Sequence, residues 1–216
     1  ATVFWQVDIS GRVRTGKVML YNPENGRRIK EPHNYITWVH SLLKKENFNL
    51  RQCLFGEHLL SSDQQRPVAL VESEKSALIS SFYLPQYLWI ASGGKNGAFN
   101  RNAMSVLRNR RVLLFPDLGA TDYWNSKMEM IRSLGIEVSL FDFMKKNATK
   151  EERDAGYDIA DFLLREETKE AIFNRLITLN PALKTLVDTF DLQLVNVEKA
   201  SLSATVQRTR KGLFKR

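Results

Sequence analysis

Apolar and polar positions alternate in blocks through the middle of this chain. Four short apolar runs stand out, at 68 to 71, 88 to 92, 111 to 116 and 136 to 141. Each has the length and bulk of a fully buried strand. Between them the spacing predicts helices over about 74 to 82, 101 to 108 and 120 to 134. The last is the clearest, because Ala120, Tyr123, Trp124, Lys127, Met128, Ile131 and Leu134 recur at helical intervals and Gly135 stops the run. Its aromatics are expected in the core or at an interface, and Trp124 is not read as a base-stacking residue. Strands alternating with helices predict an α/β fold, a four-stranded parallel sheet covered on both faces. Right-handed crossovers then bring all four strand carboxyl ends to one edge.

Outside that block the patterns differ. Residues 2 to 21 read as a β-hairpin turning at Ser10-Gly11, with Arg14 and Lys17 expected near a surface. Residues 36 to 43 show helical spacing, and Leu54 to Leu60 reads as one or two helical turns. Ser61 to Pro67 is a polar linker. After Phe143 the chain turns polar, and three further helix candidates follow, the last two separated by Asn180-Pro181. The expected division is an N-terminal hairpin and helical region (1–66), the α/β block (67–147), a C-terminal helical region (148–203) and a basic tail (204–216).

Two of the strand ends carry acids, Glu72 after Val71 and Asp117 after Phe115-Pro116. The carboxyl edge of an open parallel sheet is where ligands bind. Two carboxylates there suit phosphate chemistry with a divalent metal, although each acid could equally cap the helix that follows. The second strand runs into Ser92-Gly93-Gly94-Lys95-Asn96-Gly97. Glycines let backbone amides approach an anion closely, and Lys95 would add a charge. The spacing matches neither a Walker A loop nor a dinucleotide fingerprint. The lone Cys53 excludes a disulfide framework and is expected as a small buried side chain.

Charge sharpens the picture. The net charge is +8. Residues 93 to 111 hold Lys95, Arg101, Arg108, Arg110 and Arg111 with no acid, and 208 to 216 hold five more basic residues. A basic patch beside the acids suits nucleic acid, while charge alone favours a solvated positive face. No long apolar segment or signal-peptide pattern occurs, so a cytoplasmic protein away from membranes is expected.

Val71-Glu72-Ser73-Glu74-Lys75-Ser76-Ala77-Leu78 resembles the opening motif of the Toprim domain of primases, topoisomerases and some nucleases. There the hydrophobic strand ends in an invariant glutamate. Ile90 to Gly94 is similar to the family's small-residue loop, and Leu113 to Gly119 to the strand entering its Asp-x-Asp motif. Tyr157 to Leu163 resembles the later "K-D-x-x-D-x-L" segment of primases. Gly16 to Tyr21 and Cys53 to Glu57 resemble the region preceding Toprim in primase-like proteins of Bacteroidetes mobile elements. The resemblance implies a Toprim-like fold and Mg²⁺-dependent (or Mn²⁺-dependent) nucleotidyl transfer on a nucleic-acid template in DNA replication. It makes Glu72 the general acid or base and Asp117, with Asp158 or Asp161, the metal carboxylates. Lys75, Gly93, Gly94, Lys95, Arg101, Arg108, Arg110 and Arg111 would then grip phosphates. Implied partners are DNA ahead of RNA, nucleotides, and a helicase or other replication protein. This chain departs from the pattern at Gly119, where the family has its second Asp. Losing one acid weakens a magnesium site without abolishing it, and Asp122 is the residue placed to compensate. Alternatives are a catalytically degenerate Toprim module that binds DNA or RNA, and a nucleotide-binding α/β domain using the Ser92 to Gly97 loop.

Overall fold

The structure, a computed structural model, describes residues 1–94, 97–165 and 169–194. It divides into two compact units, Ala1–Arg165 and Glu166–Arg216. The first unit holds two sheets. β1 (Thr2–Val7), β2 (Val13–Met19) and β3 (Ile36–Trp38) form an antiparallel sheet in that order. β4 (Val68–Val71), β5 (Leu88–Ala91), β6 (Arg111–Phe115) and β7 (Glu137–Leu140) form the expected four-stranded parallel sheet, ordered β5-β4-β6-β7.

The apolar runs dictate this arrangement. All four residues of β4 have no exposed surface, and burying each Val or Leu side chain is worth roughly 1.5–3 kcal/mol. Alternation then sorts the side chains into two cores. Leu70, Ile90 and Leu114 meet Met104 of α4 (Arg101–Met104) and Trp124, Met128 and Ile131 of α5 (Thr121–Arg132). On the other face Ala69, Val71, Trp89 and Phe115 meet Ala77 of α3 (Glu74–Tyr83), Met144 of α6 (Phe143–Asn147) and Ile159 of α8 (Ile159–Leu163). The result is three layers, with Trp124 fully buried as its spacing predicts. Cys53 is buried as well.

Three local expectations give way to tertiary pairing. Residues 36 to 43 are not one helix. Ile36 to Trp38 pair with β2, Lys17 opposite Trp38 and Met19 opposite Ile36, and only α1 (Val39–Leu42) is helical. The open edge of β2 supplies hydrogen bonds to a β-branched and aromatic triplet, which outweighs helical spacing. In the Leu54 to Leu60 segment, Phe55 exchanges backbone hydrogen bonds with Ala91 at 2.9 and 3.0 Å, capping the outer edge of β5. The helical turn there, α2 (Leu59–Ser62), begins later. Lys17, expected near a surface, has a side chain only 12% exposed.

Between α6 and α8 lies α7 (Lys150–Ala155). In the second unit α9 (Lys169–Leu179) is followed by α10 (Pro181–Phe190), which Asn180 caps and Pro181 begins. The basic tail expected over 204–216 lies outside the described residues. Among the described residues no helix is long and apolar enough to cross a membrane.

Candidate functional site

Parallel register puts the acids on one edge. Val71 lies level with Ala91 and with Phe115, so Glu72, Ser92 and Pro116-Asp117 leave the sheet side by side. Behind Glu72 the chain turns into α3, capped by Ser73 through the Ser76 amide. Asp117 begins the turn into α5, its carbonyl accepting from Ala120 N at 2.8 Å.

Asp117 is the anomalous group. Its Oδ1 is buried without a hydrogen-bond partner. Burial, together with the negative charges of Glu72, Asp158 and Asp161, pushes its carboxyl up to about 8. The four acids named from the sequence therefore share one electrostatic neighbourhood.

They are not equivalent. Asp158 is the N-cap of α8 and Asp161 its third residue, in a reciprocal capping box. Asp158 Oδ1 accepts from the Asp161 amide at 3.1 Å, and Asp161 Oδ2 from the Asp158 amide at 3.0 Å. The remaining oxygen of Asp158 accepts from the buried Ser76 hydroxyl, which ties α8 to α3. Asp158→Ala loses the cap, about 1 kcal/mol, and strands that hydroxyl, about 1–3 kcal/mol more. Asp158→Asn keeps an acceptor and loses less. Thermal or denaturant unfolding of the two variants checks this, and a neutral Asp158→Ala would deny Asp158 the capping role.

Among the described residues no three His, Cys, Asp or Glu side chains converge as a ready metal cluster. Magnesium, however, binds through one or two carboxylates and completes its shell with water and substrate phosphate. An orphaned, buried carboxylate oxygen repelled by three other acids fits such a cation, so Asp117 is the residue that would hold it. Gly119 is exposed, with open space where a Cβ would stand, so packing does not forbid the missing acid. Asp122 does not replace it, since its carboxylate pairs with Lys145 at 2.6 Å on the surface.

The expected phosphate grip is differently placed. Gly93 and Gly94 adopt positive φ, 80° and 133°, but both amides donate to the Glu72 carbonyl at 3.0 Å. Those amides serve the turn and not an anion. Gly97 closes the same loop, where a Cβ would stand 2.3 Å from the Ser92 carbonyl. Lys95 lies outside the described residues. Arg110 and Arg111 stand where β6 begins, at the opposite edge from Asp117, because parallel strands separate their two ends by roughly 3.3 Å per residue. Arg108 donates to the Leu134 carbonyl at 3.3 Å and Arg110 to the carbonyls of Leu60 and Arg66. Arg101 donates to the Ser133 hydroxyl at 3.1 Å. Arg111 is exposed beside a cleft of about 490 Å³ that includes Tyr87 and Glu137. Only Lys75, half-buried in the first turn of α3, stays close in sequence to Glu72.

A cation that sequence reasoning placed elsewhere does reach this edge. Lys17 Nζ, from β2, donates to Glu74 Oε2 at 3.1 Å and to the Gly93 carbonyl at 3.0 Å. Glu74 is 2% exposed. The clue was its spacing: Glu74 and Ala77 share the packed face of α3. The antiparallel sheet thus props the glycine turn that holds the Glu72 backbone.

Residues 1–118 match the model of a family described as "Domain of unknown function (DUF6371)". No curated protein matches the sequence. Among solved structures, the zinc-binding and RNA polymerase domains of the Aquifex aeolicus primase are similar at 17% identity and TM-score 0.46, over 76% of this chain and 42% of that one. The primase fragment of the bacteriophage T7 primase-helicase is similar at 14% identity and TM-score 0.38, over 71% and 60%. The DnaG catalytic core is similar at 15% identity and TM-score 0.42, over 84% and 63%. The chain spans less than two thirds of each.

Proposed function

The chain belongs to the DUF6371 family, and we propose that it is a primase-like Toprim protein that carries out Mg²⁺-dependent nucleotidyl transfer on a nucleic-acid template, DNA before RNA. One observation carries the reading. Asp117 holds a buried, unpartnered carboxylate oxygen at the carboxyl edge of a parallel sheet, under the field of Glu72. The Toprim resemblance of residues 71 to 78 and 113 to 117 supplies the reaction class.

When bound, magnesium would supply charge to balance phosphate oxygens in the transition state. Asp117 would hold it. Glu72, fixed at the end of β4 by the Gly93 and Gly94 amides on its carbonyl, would take the proton from the attacking hydroxyl. Lys75 would face phosphate from the first turn of α3. A helicase or another replication protein is the partner that template synthesis would call for.

The test is primer synthesis on single-stranded DNA with Mg²⁺ or Mn²⁺. Glu72→Gln and Asp117→Asn are expected to abolish it while the protein stays folded. Full activity in Asp117→Asn defeats the assignment. Gly119, together with the capping duty of Asp158 and Asp161, favours a second reading, a degenerate Toprim module that binds nucleic acid without catalysis. That reading expects binding with a steep salt dependence and no response to magnesium.

A further inference from the structure

Away from the acids, the first unit contains a cleft of about 720 Å³ between the β1–β2 turn, residues 50 to 57, and α4. Its volume is in the range of small-molecule sites. The lining is polar.

The two carboxylates and the Asn100 side-chain oxygen in the walls are already engaged. Asp8, 5% exposed, accepts from the amides of Ser10 and Arg12 on Oδ1, and from the side chains of Arg12 and Arg14 on Oδ2. Burial opposes ionisation, but these donors win and hold its carboxyl at about 2. Glu57 spends its two oxygens on the amides of Ile9 and Leu54. Asn100 gives its side-chain oxygen to the amides of Asn102 and Ala103.

Donors remain. Asp8 pins Arg12 through Nε at 3.0 Å, while the Arg12 side chain stays 66% exposed. Arg51, exposed on a second wall, pairs with no acid among them. The amide nitrogen of Asn100 completes a third wall. Three arginines against two acids give the lining a net positive charge. The donors approach from three separate elements, which suits a tetrahedral oxyanion with acceptors on every side better than a planar carboxylate.

We propose that this cleft binds a phosphate group of a nucleotide, with Arg12 and Arg51 as its principal donors and Asp8 as the residue that positions Arg12. The site needs neither Glu72, Asp117 nor a metal, so it stands apart from the proposed reaction.

Binding of ATP and of a short labelled single-stranded DNA oligonucleotide to the full chain, measured in EDTA, tests it. EDTA removes any magnesium-held phosphate at the acids, so failure here leaves the catalytic reading untouched. Arg51→Gln and Arg12→Gln, both on exposed side chains, are each expected to weaken binding about tenfold, as loss of a charge-assisted hydrogen bond would. For the oligonucleotide the salt slope should fall by about 1 per variant. Preference for ATP identifies a free nucleotide as the source, and preference for the oligonucleotide identifies a strand phosphate. Failure of the parent to bind either probe overturns the proposal, as does equal binding by the arginine variants or equal binding of poly-glutamate.

Discussion

Lys17→Met is expected to lower the unfolding free energy by about 3–5 kcal/mol, the cost of leaving one member of a buried ion pair uncompensated. The Lys17 and Glu74 side chains are 12% and 3% exposed, so little solvent screens them. Removing the ammonium strands Glu74 Oε2 and the Gly93 carbonyl together. The other oxygen of Glu74, Oε1, is already buried without a partner, so the carboxylate has no second donor to turn to. Lys17→Met combined with Glu74→Leu should recover most of the loss, because apolar replacement of a whole buried pair is often neutral or better. Guanidinium denaturation followed by the fluorescence of Trp89 and Trp124 reads both variants. A cost under about 1 kcal/mol for Lys17→Met, the range of surface pairs, would mean that water reaches the pair.

The second large effect depends on pH. Unfolded, the Asp117 carboxyl titrates near 3.9; folded, burial and the neighbouring acids raise it to about 8. Between those values folding takes up a proton. The stability linked to this group is therefore fully present below about pH 4 and is lost as pH rises towards 8. Asp117→Asn removes that dependence. The variant should match the parent near pH 3 and exceed it above pH 8, by up to about 6 kcal/mol at 1.36 kcal/mol per pKa unit. Magnesium should act on the same group. At about a hundred times its dissociation constant it should stabilise the parent at neutral pH by about 2.7 kcal/mol, and leave Asp117→Asn unmoved. Equal stabilisation of both proteins would place the cation elsewhere, and parallel pH curves would mean that Asp117 is solvated.

Both effects arise where the chain leaves the parallel sheet, and they differ in how far the residues announced them. Asp117 was visible because an apolar run stopped at an acid, twice, in the same way. Glu74 lay inside a recognisable motif, but its role was hidden. A glutamate in the first turn of a helix reads as a favourable dipole interaction until a lysine from another sheet is seen beside it. Lys17 was misplaced for a related reason. Partial alternation in a hairpin identifies a strand without saying what lies against each face. The arginine run from 108 to 111 reads as neighbouring the acids along the chain, yet β6 carries Asp117 to one end and leaves the arginines at the other.

By itself, the sequence determined the four apolar strands, the helices between them and the carboxyl-edge position of Glu72 and Asp117. Those follow from local burial patterns and from the handedness of crossovers, which need no knowledge of distant partners. Only the tertiary structure decided which polar groups meet. It gave Lys17 to Glu74, the glycine amides to Glu72, and Asp158 with Asp161 to the cap of α8. It also gathered Arg12, Arg14 and Arg51 around one cleft. A buried hydrogen bond or charge is decided by desolvation and by the partner at hand, and partners separated by dozens of residues leave no periodicity to read.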